Sequence, residues 1–237
     1  MTRKTIIIFS IILIIFCVYL FTYKSCNEPK IHIYYSNISG PMIVLLGGTH
    51  GNEPAGSLYL NKLIHELDTK KHVLSAGTLI IIPKVNYCGL LLNMRNVPSI
   101  IPWDINRNYY YNHSNNSNLI NKYIDYIDNA DLVIDIHEGW GYYYEDTHSI
   151  GSGIYPTGDK QTFALANRML KYINSTIPDK YHKFGNIIKV KIKHSLYDYC
   201  KNKKINYILI EVTGQSNVQP ISVRINQIDL LLNHIIK

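Results

Sequence analysis

Four short, continuous apolar runs limit the fold of this chain more than any other feature. They are MIVLLGG (42–48), GTLIIIP (77–83), DLVIDI (131–136) and NYILIEV (206–212). Unbroken runs of this length, rich in β-branched residues, mark strands covered on both faces. Between the first two, PAGSLYLNKLIHELD (54–68) carries apolar residues at helical spacing. Strand, helix and strand in that order predict a crossover unit with parallel strands. Helical patterns over 118–129, 160–175, 195–203 and 220–236, and further strands over 31–36 and 186–192, continue the alternation. The chain therefore reads as α/β, and such sheets bind ligands at the carboxyl ends of their strands.

The 237 residues suffice for one sizeable domain, and 46% hydrophobic against 17% charged residues makes it globular. The formal net charge is +7, but the lysines are scattered and no basic helix stands out. We therefore expect no nucleic-acid partner; binding through the basic surface would instead show as salt-dependent retention on DNA. Residues 5–23, TIIIFSIILIIFCVYLFTY, carry no charge. A helix of about 20 such residues spans a bilayer. We read residues 1–30 as an N-terminal signal anchor and linker, with one transmembrane helix over 5–23, and residues 31–237 as the functional domain. That makes a single-pass membrane protein; secretion after signal cleavage is the alternative. Sequons at Asn37, Asn112, Asn115 and Asn174 suit a lumenal or extracellular domain. Of the four cysteines, Cys26, Cys88 and Cys200 fall outside the span, and no pair has metal-binding spacing. One disulfide is compatible with this set, its partners open.

Polar clusters stand at or near the strand ends: His50 and Glu53 in GGTHGNEPAG, the segment DINRN (104–108), His137 and Glu138, and Glu211. Catalytic zinc commonly takes two histidines and a carboxylate, leaving a place for water. The turn from the first buried strand into the helix can aim His50 and Glu53 at one point, and His137 follows a neighbouring strand. A carboxylate such as Glu211, closing a buried strand, must face a cleft or a partner, because an unpaired buried charge is costly. It is a candidate base for the water activated by the metal. Arg107, beside Asn106, is a candidate clamp for a substrate carboxylate through paired hydrogen bonds. Glu138 is read as facing solvent, with gating of the pocket as the alternative, and His113, His148, His182 and His194 as structural.

GGTHGNE, DINRN, DIHEG and ILIEVTG, in that order, resemble the zinc carboxypeptidase superfamily, in wording most of all its succinylglutamate desuccinylase/aspartoacylase branch. The resemblance implies a mixed, largely parallel eight-stranded sheet with helices on both faces. It implies one zinc ion held by His50, Glu53 and His137, Glu211 as base and then acid, and Asn106 and Arg107 on the substrate carboxylate. Asp104 matches a position that orients a ligand histidine, and Arg95 one that polarises the scissile carbonyl. The implied activity is hydrolysis of an amide bond beside a carboxylate, in a small acyl-amino acid or a peptide with a free carboxylate. A metallocarboxypeptidase or peptidoglycan-peptide amidase is the alternative, and an inactive peptide-binding module a further one. Carboxypeptidases place a tyrosine shortly before the final glutamate; here Cys200 stands there, flanked by Tyr197 and Tyr199.

Overall fold

The structure is a computed structural model that describes residues 5–14, 26, 28–99, 101–110, 117–146, 150–185, 192–215 and 218–236. Six strands form one sheet: β1 (His32–Tyr35), β2 (Met42–Gly47), β3 (Thr78–Ile82), β4 (Leu132–Gly139), β5 (Gly153–Thr157) and β6 (Tyr207–Thr213). Their order is β1-β3-β2-β4-β6-β5. The central pairs run parallel, while β1 and β5 close the two edges antiparallel. The strand count corrects the eight expected from family resemblance: six are present among the described residues. The run 186–192, expected as a strand, has residues 186–191 outside the described residues.

Period-two alternation divides each buried strand between two cores. Ile43 and Leu45 pack on one face, under α1 (Pro54–Asp68), α5 (Lys160–Thr176) and α7 (Ile221–Ile236). Val44 and Leu46 pack on the other, under α3 (Ser117–Asn121), α4 (Ile124–Asp128) and α6 (Leu196–Lys203). Helices thus cover both faces, which is why the strands read as unbroken apolar runs. A short helix α2 (Tyr87–Leu92) follows β3.

Residues 5–14 are helical and exposed. No helix among the described residues is long and apolar enough to cross a membrane, so the transmembrane helix expected over 5–23 is not seen; residues 15–23 lie outside the described residues. A disulfide joins Cys26 to Cys88 of α2, with Cα atoms 5.2 Å apart, and leaves Cys200 free and buried.

Candidate metal centre

The three central strands β2, β4 and β6 end side by side. Gly47 pairs with Ile136, and His137 pairs with Glu211. After β2 the chain turns sharply through Gly48, whose φ of +66° favours a residue without a Cβ. Glu53 N–H then donates to the His50 carbonyl at 3.2 Å, and Pro54 opens α1. Glu53 occupies the cap position of α1, yet its carboxylate does not cap the helix. It turns instead to the imidazoles. Gly51 lets this turn lie against α2, where an added Cβ would overlap the backbone of Gly89.

His50, Glu53 and His137 come together as expected and are buried. His50 Nδ1 stands 2.8 Å from Glu53 Oε1, His137 Nδ1 2.9 Å from Glu53 Oε2, and the two Nδ1 atoms are 3.1 Å apart. Each far nitrogen meets another carboxylate. His50 Nε2 is 3.1 Å from Asp104, and His137 Nε2 is 3.0 Å from Asp135. A neutral imidazole that donates Nε2–H outward keeps its lone pair on Nδ1. Two such lone pairs and a carboxylate then converge on one point, a donor set that suits a cation. Zinc holds nitrogen and oxygen ligands at about 2.0–2.2 Å in tetrahedral array, which separates the ligand atoms by about 3.3 Å. The donor set and its spacing fit such an ion.

The electrostatics carry the same imprint. Burial opposes ionised Glu53, but His50 and His137 outweigh it and hold its pKa well below the usual carboxylate value. Burial also opposes charge on His137, yet Asp135 and Glu53 prevail and raise its pKa well above the ordinary histidine value. Asp104 is pushed up by burial but pulled further down by His50, Arg95 and Arg107.

Glu211 is 4% exposed, and its pKa is held well above the usual value, chiefly by burial; Glu53 and Asp135 add to this, while His137 and Arg95 oppose it. Arg95 lies at the rim, its Nη1 3.1 Å from Glu53 and its Nε 3.2 Å from Asp104. Asn86 fixes the Arg95 loop by donating to the Arg95 carbonyl at 3.2 Å. Arg107 is exposed and donates to the Asn106 carbonyl at 2.7 Å. Asn106 is turned inward, its Oδ1 accepting from Leu196 N–H at 2.9 Å. Tyr197 and Tyr199 are buried; the Tyr199 hydroxyl donates to Asp128 rather than reaching the site. His182 stacks on Tyr142 and His194 packs edge-on against Tyr110, while His113 and His148 lie outside the described residues.

Glu138 corrects a reading. It does not face solvent: it is 1% exposed, accepts from Ala55 N–H and pairs with Arg224 of α7. Its charge is tolerated there because a cation and an amide meet it. Asp135 was missed although it lies two residues before His137, on the same strand face. Its carboxylate also accepts from the Tyr207 and Thr49 hydroxyls, at 3.2 and 3.3 Å. Gln215, equally missed, donates to Glu53 at 3.1 Å and to the Glu138 carbonyl at 2.6 Å. A groove of about 790 Å³ opens at the opposite end of the sheet, between Pro41, Asp131 and Arg168, away from His50, Glu53 and His137.

A largely parallel sheet with two histidines and a glutamate at its carboxyl edge defines a zinc carboxypeptidase-like protein. Residues 39–174 match the model of the succinylglutamate desuccinylase/aspartoacylase catalytic domain, and the chain belongs to that family. No curated protein sequence matches it. Among solved structures it is similar to the product-bound cell shape determinant protein Csd4 from Helicobacter pylori, with a TM-score of 0.71, 20% identity, and coverage of 89% of this chain and 56% of that one. Csd4 is also solved with a tripeptide and with mDAP, and is described in the latter form as a D,L-carboxypeptidase. The succinylglutamate desuccinylase/aspartoacylase from Rhodobacter sphaeroides gives a TM-score of 0.59 at 22% identity, covering 88% of this chain and 59% of that one. The product-bound ectoine utilization protein EutE (DoeB) from Ruegeria pomeroyi gives 0.62 at 18%, covering 86% and 60%. The chain spans a little over half the length of each.

Proposed function

We propose that the chain is a zinc-dependent hydrolase that cleaves an amide bond adjacent to a carboxylate, in an acyl-amino acid or a short peptide. The observation that carries this is the convergence of the His50, His137 and Glu53 ligand atoms, all within 4.8 Å of one another. When bound there, zinc would acidify a water and polarise the scissile carbonyl. The chain's own residues do the rest. Glu211 takes the proton from the attacking water and delivers it to the leaving nitrogen. Arg95 donates to the carbonyl oxygen as negative charge grows on it. Arg107 holds the substrate carboxylate, with Asn106 bracing its loop. Asp104 and Asp135 keep both imidazoles in the ligating tautomer.

A D,L-carboxypeptidase-like action on a peptide is the second reading, favoured by the likeness to tripeptide-bound Csd4. The Cys26–Cys88 bridge supports an oxidising compartment, and with the apolar run 5–23 it supports a domain anchored outside the cytosol. The test uses the purified chain loaded with zinc and assayed side by side on acyl-amino acids and short peptides. Glu211→Gln is expected to lower turnover by about 10²–10⁴-fold while zinc stays bound. Activity surviving that change defeats the mechanism. Zinc binding and peptide retention without turnover of either substrate class would favour a peptide-binding module instead.

A further inference from the structure

Glu138 follows a metal ligand but points the other way. Successive residues of a strand face opposite sides, so His137 joins the ligands while Glu138 enters the layer between β4, α1 and α7. There its carboxylate accepts from Ala55 N–H, in the first turn of α1 and two residues after Glu53. Its other oxygen pairs with Arg224, whose only ion-pair partner among the described residues is Glu138. The backbone adds to this link. Glu138 N–H donates to Glu53 Oε2 at 3.1 Å, and Gln215 bridges the Glu138 carbonyl and Glu53 Oε1. An added Cβ on Gly214 would overlap the Glu138 carboxylate, so the loop after β6 is shaped around the pair.

A buried ion pair is a poor stabiliser beside apolar side chains of the same volume. Stability alone therefore does not account for placing two charges here. What the pair does achieve is geometric. It ties the start of α1, which carries Glu53, to the end of β4, which carries His137.

We propose that Glu138, held by Arg224, is a positioning residue that sets the distance between the Glu53 and His137 ligands and so tunes metal affinity. This rests on the metal-centre reading above. The test is the zinc dissociation constant, measured by chelator competition, with the cobalt(II) absorption spectrum as a report of ligand geometry. It is run on the native chain, E138Q, R224K and the double variant E138L/R224M. The native chain is expected to bind one zinc. E138Q and the double variant are expected to bind about 10–100-fold more weakly with an altered cobalt spectrum, and R224K to stay close to native. The double variant removes both buried charges, so its thermal unfolding separates stability from positioning: it is expected to fold stably yet bind poorly. Native-like affinity in E138Q and in the double variant overturns the proposal alone. A native chain that binds no zinc overturns the metal reading and this proposal together.

Discussion

Glu211 sits where its charge is unwelcome. Burial raises its pKa well above 4.5, so the folded metal-free chain holds this proton more firmly than the unfolded one. The sign follows by linkage. The stability tied to neutral Glu211 is fully present below the unfolded value and is lost as pH rises through the folded value. Metal-free Glu211→Gln should therefore melt a few degrees above the native chain at pH 8, with the gap closing toward pH 4, as followed by thermal scans across pH. An equal or lower melting temperature at pH 8 would contradict the burial argument. A stability cost of this kind is in keeping with the base role proposed above for Glu211. At this scale His50, Glu53 and His137 were legible because each closes a buried strand or its turn. Asp135 was in plain view inside DLVIDIH, but it was absorbed into an apolar run; asking which residue shares His137's face would have found it. Glu138, Gln215 and Arg224 were not legible, since their meeting depends on where the last helix packs.

Among the elements, α6 shows how the site is braced from behind. Ser195 caps it, its Oγ accepting from Asp198 N–H at 3.2 Å and donating to the Ile192 carbonyl at 2.7 Å. Asn106 takes the next free amide, that of Leu196, and so ties the DINRN segment to this helix. Ser195→Ala should destabilise the chain by about 1 kcal/mol, read from urea unfolding with an unchanged m-value. A neutral result would mean that the Asn106 contact alone holds the helix end. The strands around the ligands and the four longer helices follow the hydrophobic pattern to within a residue or two at most ends, because burial on both faces leaves little freedom. The expected helix over 118–129 is instead two, α3 and α4, broken where Tyr123 turns fully inward and its hydroxyl meets that of Tyr109 at 3.0 Å. Local periodicity does not register such a long-range contact. Strand β5 escaped notice because Pro156 interrupts its pattern; proline is tolerated there because β5 is an edge.

At the scale of the whole molecule, the bridge between Cys26 and Cys88 closes a loop with a sequence separation of 62 and fastens the leading segment to α2. Loop-closure entropy for that length predicts that reduction lowers stability by about 4 kcal/mol, measurable as a shift in the denaturation midpoint with and without reductant. A shift near zero would place the bridge in a segment that unfolds independently. Helix α2 is also the element against which Gly51 and the Arg95 loop lie, since Gly51 N–H donates to the Arg95 carbonyl at 3.3 Å. The Cys26–Cys88 staple is therefore continuous, through α2, with the loop that carries Arg95. For anyone producing the protein, the choice of host becomes chemical. Synthesis in a thiol-reducing cytosol is expected to leave Cys26 and Cys88 as two free thiols, and measurements on such material would report on a chain whose Arg95 loop has lost its covalent brace.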